Sequence, residues 1–251
     1  MYSRRRHTLS DLSEDTGYSI QYLQKILDSV HLATGEIHIP TKEVPLILDA
    51  TFFGRSYGIL VARIKGNNIH WKEIYGEKIM YYREILKDLR ILGFQFSSFV
   101  IDGRKGVKEL LQDMFPSIPI QHCQFHQKQT VIQCISRKPK LEAGKELLSI
   151  TNLLTVISRK EFEELLYSWH EKWDWFLKEK TEDWKTGKKR YTHQRLRRAF
   201  FSLRRNLPYL FTYLEYPDLH IPNTTNSCDG SFSHWKNKVK IHRGLRKDRR
   251  K

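Results

Sequence analysis

Cysteine is scarce in this sequence: Cys123, Cys134 and Cys228 are three in 251 residues, an odd number at wide spacing. A secreted fold stapled by disulfides needs more thiols, evenly counted, so the reading favours free thiols in a reducing cytoplasm. No apolar run approaches the ~18–20 residues of a membrane span. The opening MYSRRRHTLSDLSED has a basic tip with no apolar stretch behind it, which predicts no secretory signal. Acids are also short. Asp and Glu number 28 against 44 for Lys and Arg, leaving a net charge of +16 and a pI near 9.7. Folding does not require such an excess, whereas a polyanionic partner does. Apolar residues make up 39% and mean hydropathy is −0.58, at the polar end for a globular chain, yet 12% aromatics argue against disorder. There is no internal repeat and no low-complexity tract. The length suits one sizeable core with a small appendage.

Residues 9–28 read as two short helices around Gly17, with Leu9 and Leu12 on one face and Leu23, Ile26 and Leu27 forming a second apolar stripe behind a Ser19 N-cap. The spacing resembles a helix-turn-helix, whose second helix would present Gln21, Tyr22, Gln24 and Lys25 to base edges and phosphates. A plain helical hairpin packed on the next domain is the alternative. From Val44 the texture changes. VPLILDATFFG, YGILVARI and NNIHWKEIY predict three strands, with a turn at Gly66-Asn67-Asn68. YYREILKDLRILGF predicts a helix ending at Gly93, FSSFVIDG a buried strand, VKELLQDMF a short helix, and IPIQHCQFH a strand leading into a helix. Together these predict a mixed α/β core over 41–251, behind a small DNA-binding segment at 1–40.

Residues 137–215 predict a helical insertion. Phe162, Leu165, Leu166, Trp169, Trp173, Phe176 and Leu177 fall at helical spacing, and a second helix runs through HQRLRRAFFSLRRNL to stop before Pro208. The tryptophans read most simply as core, with base stacking by Trp169 or Trp175 as the alternative. From Lys185 to Arg205 there are nine basic residues and no acid, including Lys188, Lys189, Arg190, Arg197 and Arg198. So one-sided a run favours phosphate contact over a merely solvated face. A last helix carries Lys236 and Lys238 toward a basic end.

Acids inside apolar strands are the most informative residues. Asp49 follows Val44-Pro45-Leu46-Ile47-Leu48, and Asp102 follows Phe99-Val100-Ile101. A desolvated carboxylate costs several kcal/mol unless it is paired, protonated or bound to a cation. Two of them at the ends of neighbouring strands could hold Mg²⁺, which takes few carboxylates and completes its shell with water and phosphate oxygens. The alternative is that each caps the turn after its strand, which suits Asp102-Gly103 better than Asp49-Ala50. Cys123 and His126 supply two ligands where a structural zinc needs four, and they are not assigned as metal ligands.

LDATFFG, then VIDGRKGV–ELL–FP–IPIQHCQFHQKQ, then TTNSCDGSFSHWK resemble the DDE/D transposases of bacterial insertion sequences, in the Mutator-like superfamily. The resemblance implies a ribonuclease H-like mixed sheet flanked by helices, interrupted by a helical insertion. It implies a catalytic and metal-binding triad of Asp49, Asp102 and Asp229, separated by 53 and 127 residues. It also implies two Mg²⁺ ions, with Mn²⁺ as a substitute, acting in DNA cleavage and strand transfer. The implied partners are the terminal inverted repeats and target DNA, with the protein working as a homo-oligomer in the bacterial nucleoid. The Cys123-x-x-His126 pair matches a family signature and would have a positioning role; a buried thiol beside a hydrogen-bonded histidine is the other reading. Two departures stand out. The third position is Asp229 where close relatives carry Glu, and the chain ends at Lys251 inside the basic segment 236–251, where relatives generally continue. A decayed or truncated transposase that only binds DNA, or a nuclease of the same fold without strand transfer, are the competing expectations.

Overall fold

The computed structural model describes residues 8–29, 39–54 and 57–241, except for the side chains of 105, 229 and 238–241. The basic tail at 242–251 and the stretch 30–38 lie outside the described residues. Thr8 opens α1 (Leu9–Thr16) with a capping box, its hydroxyl accepting from Asp11 N–H while the Asp11 carboxylate accepts from Thr8 N–H. Gly17 ends the helix at φ 72°, a left-handed conformation that costs glycine nothing. Ser19 then caps α2 (Ile20–Ser29) by accepting from Tyr22 N–H. The two helices pack on each other, yet neither buries a residue. The expected stripe is therefore open, with Ile26 and Leu27 exposed.

Three antiparallel strands follow: β1 (Val44–Phe52), β2 (Gly58–Ile64) and β3 (Asn67–Ile74). α3 (Ile79–Ile91) leads to β4 (Phe96–Ile101), and α4 (Lys105–Met114) to β5 (Ile120–His122). The sheet order is β3-β2-β1-β4-β5, with β4 parallel to β1 and β5 parallel to β4. Because side chains alternate along a strand, the two faces bury different sets. Leu46, Leu48, Leu60, Phe99 and Ile101 pack under Ile85, Leu86 and Leu89 of α3 and Val107 and Leu111 of α4. Ile47, Val61 and Val100 point the other way, and what covers them comes from the far end of the chain.

Between these parts lies a second, largely helical core. α5 (Gln124–Ile135) leaves the sheet, followed by α6 (Glu142–Asn152), α7 (Arg159–Lys178) and α8 (Gln194–Leu210). Val131, Leu147, Phe162, Leu166, Trp169, Phe200 and Leu203 fill the space between them. Two details depart from expectation. A two-stranded antiparallel ribbon, β6 (Lys180–Glu182) and β7 (Lys189–Tyr191), separates α7 from α8 and forms its own small sheet. And α8 runs through Pro208 to Leu210. Proline there removes one donor in the last turn, and Pro208 and Arg204, whose carbonyl loses that donor, both face solvent. After α9 (Thr212–Glu215), α10 (Asn226–Ile241) lays Cys228 and Phe232, with Ile221 just before it, onto Ile47, Val61 and Val100.

Candidate active site

β1 and β4 run parallel in register, Leu46 beside Phe99 and Ile47 beside Val100. Continuing that register by two residues sets Asp49 beside Asp102, on strands whose spacing is ~4.8 Å. By alternation both acids lie on the face of Ile47, Val61 and Val100, the face that α10 covers. Asp49 is buried, 5% exposed, and its Oδ1 accepts from Ala50 N–H at 2.8 Å. Asp102 is half-buried one residue past β4, and its Oδ1 accepts from Arg104 N–H at 3.1 Å. Gly103, at φ 84°, makes that turn. Asp102 therefore does cap a turn, but with one of its two oxygens. Asp229 is the fourth residue of α10, directly after the buried Cys228; its side chain lies outside the described residues.

α10 is fixed over these strands from two sides. On one side Arg63 of β2 donates to Ser227 O and to Ser231 Oγ. On the other, the turn preceding α10 is clasped to the start of α5. Thr225 donates to Cys123 Sγ from both its N–H, at 3.3 Å, and its hydroxyl, at 3.5 Å, while Thr225 Oγ1 lies 3.2 Å from His126 Nδ1. Cys123 Sγ also caps α5 by accepting from His126 N–H, and Cys123 N–H donates to Ile101 O at 2.7 Å, one residue before Asp102. Asn223 and Gln124 add two more hydrogen bonds. The C-x-x-H pair thus links the strand of the second acid to the helix of the third.

The same group is electrically unusual. Hydrogen bonding to Cys123 raises His126 to about 9, against the opposing effect of burial, with Cys123, Asp49 and Asp102 adding their fields. Burial pushes the Cys123 thiol up, but hydrogen bonds from His126 and Thr225 outweigh it and the thiol titrates below its ordinary value. The fields of both acids therefore favour the cationic form of the His126 imidazole. Tyr82 is pushed upward by burial, then by Glu77, Asp102 and Asp49, so it senses the same two carboxylates. Among the described residues no three His, Cys, Asp or Glu side chains gather as a metal site.

A row of buried glutamines went unread in the sequence. Gln121 donates to Leu210 O at 3.0 Å and accepts from Tyr213 N–H; Gln124 also donates to Leu210 O; Gln127 bonds Ser202 and Asn206. Spaced by three, they bind β5 and α5 to α8 and α9. The legible signal was the spacing of Gln by three at 121, 124 and 127 after the apolar Ile118-Pro119-Ile120. His122 lies beside them, 2% exposed, stacked on Tyr209 at 4.8 Å, and neither ring nitrogen has a hydrogen-bond partner among the described residues.

The basic residues fall at several places. Gln21 and Lys25 are exposed on α2 and Gln24 is half-buried. Lys188, Lys189 and Arg190 stand on the ribbon, Arg198 on α8 and Lys236 on α10, all exposed; the side chain of Lys238 lies outside the described residues. Arg197 is different, since its guanidinium donates to Leu177 O at 2.8 Å and stacks 3.7 Å from the Tyr191 ring. Trp169 is core, its Nε1–H donating to Ala143 O, whereas Trp175 is exposed.

A mixed sheet of this order, flanked by helices and interrupted before its last helix, is a ribonuclease H-like arrangement. The family model described as Transposase, Mutator family, matches residues 70–241, more than two thirds of the chain. The chain belongs to that transposase family. The match takes in Asp102, the clasp and Asp229, and begins after Asp49. No curated protein matches the chain. No helix among the described residues is long and apolar enough to cross a membrane.

Proposed function

We propose that this protein cuts DNA and transfers the freed 3′ end in a divalent-metal-dependent reaction that moves an insertion sequence. The observation that carries the reading is the parallel pairing of β1 with β4, Ile47 beside Val100, which continued by two residues brings Asp49 level with Asp102 on the face α10 covers. Asp49, Asp102 and Asp229 would hold Mg²⁺, or Mn²⁺ in its place: hard carboxylate oxygens suit either ion, and phosphate oxygens would complete the shell. When bound, a pair of such ions lowers the pKa of an attacking water or 3′ hydroxyl and stabilises the leaving oxygen. The chain's own groups prepare that site. The Arg104 N–H fixes the rotation of the Asp102 carboxylate. The His126 cation offsets part of the repulsion between the two acids. The clasp sets the distance from Asp102 to the first turn of α10. Aspartate at 229 is shorter than glutamate by one methylene, so α10 would have to lie closer to the ions than it does in relatives with Glu.

Duplex DNA is the partner, held at its phosphates by Lys188, Lys189, Arg190, Arg198, Lys236 and Lys238. Residues 1–40 would act as a separate recognition unit, with Gln21, Gln24 and Lys25 reading the terminal inverted repeats. Residues 41–251 would be the catalytic domain with its insertion. Two ends must be joined, so the working form in the nucleoid is an oligomer. The test is a strand-cleavage and strand-transfer assay on the wild type and the D49N, D102N and D229N variants, with Mn²⁺ binding followed in parallel by electron paramagnetic resonance. Loss of both cleavage and Mn²⁺ binding in each variant is the expected result. Cleavage without transfer supports a nuclease; DNA binding with no cleavage supports a decayed element; full cleavage by D102N refutes the site.

A further inference from the structure

Trp184 is the most exposed large apolar side chain among the described residues, at 86%. It stands at the tip of the β6–β7 ribbon, and that tip is ordered by its own bonds. Asp183 Oδ1 accepts from the N–H groups of Lys185 and Thr186, and Asp183 O accepts from Thr186 and Gly187. The base of the ribbon is equally fixed. Thr181 and Thr192 hydroxyls meet at 2.7 Å, Thr192 N–H donates to Glu179 O, and His193 stacks 3.6 Å from Phe176 while pairing with Glu179. An indole carried on a rigid arm into water gains nothing for this fold.

The charge around it is one-sided. Residues 180–191 carry Lys180, Lys185, Lys188, Lys189 and Arg190 against Glu182 and Asp183. The Asp183 carboxylate is engaged with backbone N–H groups, and the pair Lys189–Glu182 is loose at 3.8 Å. Lys188 and Arg190 have no ion pair among the described residues. Lys185 lies 4.9 Å from the indole centroid, so the apolar tip and a cation form one unit. A two-stranded ribbon fits a DNA groove, cations flanking it meet phosphates, and an apolar side chain at its end can wedge between base steps.

We propose that the β6–β7 ribbon is a DNA-inserting arm, with Lys188, Lys189 and Arg190 on the phosphates and the Trp184 indole stacked against an unstacked base. The proposal rests on the reading of DNA as partner, and it adds a base-contacting residue and the element that delivers it. The probe is a fluorescein-labelled 30-base-pair duplex of random sequence, bound to the full chain between 50 and 300 mM salt. W184A should bind about ten-fold more weakly with an unchanged salt slope, because stacking releases no counterions. W184F should retain most of the affinity. The triple variant K188A/K189A/R190A should weaken binding and reduce the salt slope by about 2–3, at about 0.9 per phosphate contact. The Trp184 emission, taken as wild type minus W184F, should be quenched by the duplex. Thermal melts confirm folding of each variant. If the wild type binds DNA and the ribbon variants bind equally, the arm is refuted while the DNA reading stands; if the wild type does not bind, both fail. A change of oligomer mass in W184A with unaltered DNA affinity would assign the indole to a second copy of the chain and overturn the proposal.

Discussion

Replacing Cys123 with alanine tests the clasp that joins α5 to α10. The sulfur is fully buried and accepts from three donors: Thr225 N–H, Thr225 Oγ1–H and His126 N–H. Losing the α5 cap costs about 1 kcal/mol. Leaving Thr225 N–H without an acceptor in a buried site costs at least about 1 kcal/mol more. The hydroxyl can turn elsewhere and adds little. C123A should therefore lose about 2 kcal/mol in urea unfolding, and C123S, which restores a shorter acceptor, about half that. The loss should be local as well as global. Amide hydrogen exchange should accelerate over 223–232, where α10 meets the sheet, while the strands facing α3 keep their protection. A loss below about 0.5 kcal/mol, or faster exchange spread evenly over the sheet, would refute the claim that this sulfur anchors α10.

Other variants separate further contributions. His122, lowered to about 4 by burial and then by the fields of Lys108 and Arg205, stays neutral when folded, so acid favours the unfolded chain. Stability should be full above pH ~6.5 and fall by about 1.4 kcal/mol per unit toward pH ~4, and H122Q should flatten that limb in pH-dependent urea melts. Arg197→Ala should lower thermal stability because its guanidinium holds Leu177 O and Tyr191, whereas Arg198→Ala, at an exposed position, should weaken duplex binding and leave the melt unchanged. A methyl at Gly58 would meet Thr51 O at 2.6 Å, so Gly58→Ala should cost about 1–3 kcal/mol by loss of β1–β2 register, read by denaturant unfolding.

The strands and the helices flanking them were legible because each carries its own period or a continuous buried run. β1 and β4 read as apolar segments ending in an acid, and the two strands pair in parallel with Ile47 beside Val100, two residues before each acid. The ribbon was missed because KTEDWKTGKKRY contains no apolar alternation; its strands are held by backbone bonds and anchored at their base by Thr192 and His193. Pro208 was read as a stop because proline forbids one donor, yet one missing bond in a solvent-facing last turn is cheap beside the burial of Leu207 and Leu210. The clasp was legible as a C-x-x-H spacing and no more. Its function depends on Thr225, a hundred residues on, and no local pattern announces that contact. Arg197 was grouped with its exposed neighbours because a charge run does not reveal which guanidinium turns inward.

The way α10 closes the sheet also sets a timetable. The face under α3 and α4 is completed by neighbours in the chain, and the insertion folds on itself through adjoining helices. Ile47, Val61 and Val100 instead wait for Cys228 and Phe232, more than 120 residues downstream, so their contact bears the largest loop-closure cost. Until that contact forms the sheet stands half-dressed, with an apolar face open to chaperones or to another nascent chain. The face that carries Asp49 and Asp102 is thus completed by a long-range contact, and its closure by α10 should come late in folding.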